Sequence, residues 1–152
     1  MSRASFIADS SLHCPTTDCC SQRREPDRTV AMTLAAQPST LLNGEIVPFS
    51  TFLVNTGDWT VAGGVVTVPT RGLYDLSYVI SLNDVVPTSA PFQLIINGVG
   101  TSAIQAASST GQVIDRRLLQ LKAGDTVAVE YISGTPTTIN PLTQPVLTMI
   151  RV

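Results

Sequence analysis

The stretch "GLYDLSYVISL", from Gly72 to Leu82, constrains the fold more than any other part of the chain. Tyr74, Leu76, Tyr78, Ile80 and Leu82 recur at every second position, with Asp75, Ser77 and Ser81 between them. A period of two belongs to a β-strand with one buried face, because successive Cβ atoms point to opposite sides of the pleat. Such a strand needs neighbours for its backbone and a second layer to cover its apolar row. The rest of the chain must supply both.

It does so with more strands. "VVTVP" precedes this stretch, and "TRG" turns between them. "FQLIINGVG" ends in the turn signal Asn97-Gly98. "VIDRRLLQL", the turn "KAGD" and "TVAVEYI" follow, and "PVLTMIRV" closes the sequence. Pro69 suits a strand end, where no ladder hydrogen bond is lost. Gly72 suits a tight turn before the long strand, and Gly124-Asp125 a hairpin corner. Helical periodicity is nearly absent; Ala35-Ala36 and "SAIQAASS" are the only weak candidates, and both are short. Eight to ten short strands with regular turns predict an all-β antiparallel sandwich.

The strand pattern begins near Thr29. Residues 1–28 are polar and irregular, with four arginines offset by four acids, and read as a flexible N-terminal arm preceding a domain over 29–152. The arm holds all three cysteines, Cys14, Cys19 and Cys20, and the one histidine, His13. An odd number of thiols in an accessible arm points to intermolecular disulfides. Two alternatives stay open: reduced thiols without a role, and zinc. His13 with the three cysteines could supply four ligands, but adjacent ligands at 13–14 and 19–20 lack the usual zinc spacing. No metal and no cofactor is expected.

Charge excludes several partners. Charged residues make up 13% of the chain, against roughly 25% in an average soluble protein. The formal net charge of −2 leaves no cation excess to neutralise phosphates, so nucleic acid is not an expected partner. Apolar runs are short and broken by Gly, Pro or polar residues, so neither a membrane span nor a membrane partner is expected. "MSRASFIADSSLHC" has only "FIA" as an apolar run, too short for a secretory signal.

An enzyme is not expected either. A Ser-His-Asp site needs a positioned histidine, and the sole one lies in the arm. Asp58, Asp75, Asp84, Asp115, Asp125 and Glu130 fall at turns or on outer strand faces, where solvation is the plain reading. A calcium site from Asp58, Asp75 or Asp84 would lack the dense carboxylate loop such sites use. Trp59 reads as a residue at the rim of the core with its N–H bonded, rather than a carbohydrate platform. Tyr74, Leu76, Tyr78 and Tyr131 are candidates for the core or a subunit interface. Arg116 and Arg117 point to opposite faces of one strand, one toward solvent and the other toward Asp115 or Glu130 of a neighbouring subunit.

The order of these motifs resembles the complement globular-head and tumour-necrosis-factor-like jelly rolls. In "FSTFLVNTGDWTVAGGVVTVPTRGLYDLSYVISL" the matching residues are Phe49, Asn55, Gly57, Val68, Pro69, Gly72, Tyr74 and Leu76. "LIINGV" and "RLLQLKAGDTVAVEY" are similar to the same family's later hairpin and strand pair. The resemblance spans about Phe49 to Val152. Within the superfamily, "GLYDLSYVISLNDVVPTSAPFQLIING" is similar to exosporium proteins of Bacillus-type spores, both the basal-layer type and the globular tip of the collagen-like glycoprotein. No Gly-x-y repeat is present, and the cysteine arm matches no member residue by residue. The resemblance implies a homotrimer that serves as a structural subunit of a spore-surface layer or fibre, with other spore-surface proteins as possible partners. It would be made in the mother cell and joined to its neighbours by the arm. The alternative it implies is a trimeric receptor- or glycan-binding head, such as a phage or viral fibre tip.

Overall fold

The computed structural model describes residues 29–83, 91–105 and 111–152, without the side chains of 102–105. The strands are β1 (Ala31–Ala36), β2 (Thr40–Leu41), β3 (Phe49–Thr56), β4 (Thr60–Ala62), β5 (Val65–Thr67), β6 (Gly72–Ser81), β7 (Phe92–Ile96), β8 (Val99–Gln105), β9 (Gln112–Leu121), β10 (Thr126–Tyr131), β11 (Thr137–Thr138) and β12 (Val146–Arg151). A first sheet runs β3-β1-β12-β6-β9 and a second runs β4-β5-β10-β7-β8, with β11-β2 as a small third pair. Every pairing is antiparallel. The described residues thus form an antiparallel jelly-roll sandwich. Of the short helix candidates, Ala35-Ala36 lies in β1 and the first half of "SAIQAASS", Ser102–Gln105, lies in β8; residues 106–109 lie outside the described residues. The strand count exceeds the expected eight to ten because β2, β4 and β11, of two or three residues each, are too short to show a period.

The predicted alternation carries the core. Tyr74, Leu76, Tyr78 and Ile80 of β6 face inward and are fully buried, opposite Phe92, Leu94, Val127, Val129 and Tyr131 of the second sheet. Ser81 departs from the pattern: it is buried at the strand end, where Asn140 N–H donates to its carbonyl (2.9 Å) and Leu82 bridges Ile139. Two of the three buried tyrosines keep polar partners. Tyr74 donates its hydroxyl to the Thr70 carbonyl at 2.7 Å, and Tyr131 donates to the Thr135 carbonyl, so each ties a loop to the core.

Turn chemistry sets the register. Asn97 and Gly98 both take positive φ (52° and 77°), which a two-residue hairpin of this kind needs. The Asn97 side chain also accepts from Thr126 N–H (2.8 Å) and donates to Asp125 (3.0 Å), binding the β7–β8 turn to the β9–β10 turn. Asp125 in turn accepts from Lys122 N–H (2.7 Å), and these hydrogen bonds hold its carboxyl below the usual aspartate range. Gly72 plays a different part from the one expected. It opens β6 without positive φ, and a Cβ there would lie 2.9 Å from Arg151 Nε. The missing side chain makes room for Arg151 rather than for a turn.

Candidate functional site

The first sheet turns a broad, nearly uncharged face outward. Ladder register places its outward side chains in rows across the strands. One row is Val146, Val79 and Ile114, which the buried Ala35 continues on β1. The next is Val54, Thr33, Thr148, Ser77 and Arg116, and the third is Thr56, Ala31, Ile150, Asp75 and Leu118. Leu73 and Gln120 follow. The middle row is hydroxyl-rich, with Thr33 and Thr148 oxygens 3.3 Å apart. Ile114 and Leu118, on the edge strand β9, stand 61% and 64% exposed. Leu73, Val79 and Ile150 are exposed as well.

Asp75 and Arg116 are the only charged side chains on these rows, and they neutralise each other. Arg116 Nε donates to both Asp75 oxygens (2.9 and 3.2 Å), and its Nη2 donates to Oδ2. The guanidinium hydrogen bonds, with its charge behind them, hold the Asp75 carboxyl below the usual aspartate range. The pairing correspondingly raises Arg116. Exposed apolar side chains of this extent, without a net charge, mark a surface suited to association rather than to solvent.

Behind that face, β9 turns Asp115 and Arg117 into the sandwich. Asp115 is 8% exposed, not on an outer face as expected. Arg117 Nε donates to Asp115 Oδ2 (2.7 Å) and Nη1 donates to Thr101 Oγ1 of β8 (3.1 Å). The expected cross-subunit pairing of this arginine is therefore replaced by one within the protomer. β9 and β8 are edge strands of different sheets, so Arg117 bridges the open side of the sandwich. Tyr78 stands opposite Asp115 in the ladder. Its hydroxyl is buried without a well-directed hydrogen bond, although the carboxylate is near enough to bias its proton. Burial first, and the Asp115 charge second, push Tyr78 well above the ordinary tyrosine range.

Other sequence candidates fall elsewhere. Tyr74, Leu76, Tyr78 and Tyr131 lie buried in the protomer's own core. Cys14, Cys19, Cys20, His13 and Asp84 lie outside the described residues. Trp59 is buried edge-on against Tyr74 with ring centroids 5.5 Å apart, and its indole N–H has no partner rather than the expected hydrogen bond. Among the described residues no group of three His, Cys, Asp or Glu side chains converges on one point. No described helix is long and apolar enough to cross a membrane. Sequence reasoning missed the outward rows because their members come from five strands distant in the chain. The one available signal was the partner set of Tyr74, Leu76 and Tyr78: Leu73 and Val79 occupy the alternate positions of the same strand.

No protein-family model matches the sequence, and no curated protein matches it. Solved structures do match the fold. The globular domain of zebrafish complement 1qA is similar over 81% of this chain and 97% of its own, with a TM-score of 0.62 and 19% identity. The tumour-necrosis-factor protein Eiger from S. frugiperda is similar over 82% of this chain and 93% of its own (TM-score 0.65, 17% identity). The vertex protein P5 of PRD1 is similar over 82% of this chain and 98% of its own (TM-score 0.65, 13% identity). At these identities the likeness is one of fold: the chain adopts the tumour-necrosis-factor and complement globular-head jelly roll.

Proposed function

We propose that this chain is a structural subunit of a self-assembling surface layer or fibre, of the kind found in the bacterial spore exosporium. Its jelly rolls associate as homotrimers through the outward face of the first sheet, and Cys14, Cys19 and Cys20 link trimers through the arm. The observation that carries the reading is the charge balance of that face. A second copy brings apolar and hydroxyl side chains and one ion pair already closed on itself, so association strands no charge. The trimeric number and the spore-surface location rest on the sequence resemblance. Synthesis in the mother cell with exposure after lysis is consistent with thiols that oxidise late.

A second reading is a trimeric receptor- or glycan-binding head. The fold likeness to the PRD1 vertex protein favours it. A glycan array separates the two, since a scaffold alone binds none of its sugars.

The deciding measurement is light scattering on the full chain in reductant. Three times the mass of one chain is expected for the wild type, and single chains with an unchanged circular dichroism spectrum for Ile114→Arg. A wild type that is monomeric at tens of micromolar overturns the association. The covalent step is tested in non-reducing detergent: larger species persist in the wild type and vanish when all three cysteines become serine. Equally resistant species in the triple variant would remove the arm as connector.

A further inference from the structure

The outward face of the second sheet holds a cleft of about 480 Å³, within the range of small-ligand sites. Ladder register sets Glu130 of β10 against Gln93 of β7, and Ala128 against Ile95. The segment before β3 closes one side: Val47 N–H donates to the Val129 carbonyl and Gly44 N–H to the Tyr131 carbonyl, both at 2.8 Å, bringing Ile46 opposite Glu130. Val65, Gly98 and Gly100 complete the walls.

The polar groups in this cleft are pre-set and mostly acceptors. Gln93 Nε2 donates to Glu130 Oε2 at 2.6 Å. That bond fixes the carboxamide orientation and leaves Gln93 Oε1 and Glu130 Oε1 to accept from a ligand. No cation forms an ion pair with Glu130 among the described residues. Gly100 belongs to the same arrangement. Its φ is not positive, so its backbone does not call for glycine. A Cβ there would fall 2.6 Å from Gln93 Oε1 and 2.9 Å from Cδ and Nε2. The absent side chain lets Gln93 lie against Glu130 and keeps the cleft open, a recognised use of glycine inside a strand.

We propose that this cleft binds an alkylammonium group, the lysine side chain of a partner protein. A half-buried carboxylate without a cation, beside a carboxamide oxygen and the Thr126 hydroxyl, asks for a positively charged donor. Ile46, Val65, Ile95 and Ala128 offer aliphatic walls for a methylene stem. The lining contains no aromatic ring on which a sugar would stack. The site lies on the other sheet from the self-association face, so it stands or falls separately.

The test titrates isotope-labelled full-length protein with Nα-acetyl-lysine methylamide, following backbone amides by NMR. Saturable shifts confined to Gln93, Ile95, Gly100, Ala128 and Glu130 are expected, at millimolar affinity and weakening with salt. The Nζ-acetylated analogue should bind at least tenfold more weakly. Glu130→Gln should weaken binding by roughly tenfold, as loss of a charge-assisted hydrogen bond does. Gly100→Ala should weaken it by displacing Gln93, with circular dichroism unchanged. Equal binding of the acetylated analogue, a shift pattern produced instead by a neutral methyl glycoside, or no saturable shift with any probe would each overturn the proposal.

Discussion

Asp75 and Glu130 are both carboxylates on the outward side of a strand, one on each sheet. Asp75 has Arg116 across the β6–β9 ladder and forms a closed ion pair. Glu130 has Gln93 across the β10–β7 ladder and forms no ion pair among the described residues. The difference lies in the neighbouring strand, not in the acid or its own segment. It gives the two faces different partners. The first face is neutral and presents itself to a copy; the second presents an unmet negative charge inside a cleft.

The largest expected effect tests what the faces share. Leu76→Ala opens a cavity under both sheets and should cost about 3 kcal/mol, within the usual range for buried leucine. Urea unfolding should show both faces lost in one transition. Two transitions would mean that the sheets do not share one cooperative core. Arg117→Met comes next, because it cuts the bridge between the edges of the two sheets. It leaves Asp115 buried without its cation and should cost about 2–3 kcal/mol, at or below the lower limit for a fully buried pair because some solvent reaches Arg117. Adding Asp115→Leu should restore most of that stability. If the double variant is no better than the single, the charge argument is wrong.

Smaller effects come from pH. The Tyr78 hydroxyl is raised in the folded state, so the fold retains its proton where the unfolded chain releases it. That contribution is whole below the ordinary tyrosine value of 10.0 and declines as pH rises above it. Phenolate absorbance titrations of the protein and of its Tyr78→Phe variant should differ only once the protein unfolds in alkali, because the Tyr78 hydroxyl stays protonated in the fold. At the acid end the sign reverses. Asp75 is depressed, so its contribution is whole above the ordinary 3.8 and is lost as pH falls through its lower folded value. Asp75→Asn should give the smallest effect. An exposed pair adds little to protomer stability, so the urea midpoint should barely move. Self-association should weaken severalfold, because Arg116 would then enter the contact unpaired. An unchanged association would place the contact elsewhere.

Much of this was legible in advance. The alternation of Tyr74, Leu76, Tyr78 and Ile80 marked the core face directly, and Asn97-Gly98 marked its hairpin. Arg116 and Arg117 were readable as pointing to opposite sides of one strand. Their partners were not: Asp75 is 41 residues from Arg116, and Thr101 is 16 from Arg117. Asp115 looked like an outward residue because charge usually is, yet strand parity puts it inside, where Arg117 two residues on makes its burial tolerable. Gly72 read as a turn residue, and Gly100 carried no sequence signal of its own. Each yields space to a side chain from another strand, Arg151 in one case and Gln93 in the other.

The sequence by itself determined that the chain is built from strands, which side of the long strand Gly72–Ser81 is buried and where the main turns fall. Those are local properties, fixed by a two-residue period and by backbone conformations that few residues tolerate. The tertiary structure alone decided which strands lie side by side, and with that the chemistry of each outward face. A row across a sheet takes one residue from each strand, so its composition depends on register between segments far apart in the chain. Pairing β6 with β9 closed the charge of Asp75, and pairing β10 with β7 left that of Glu130 open.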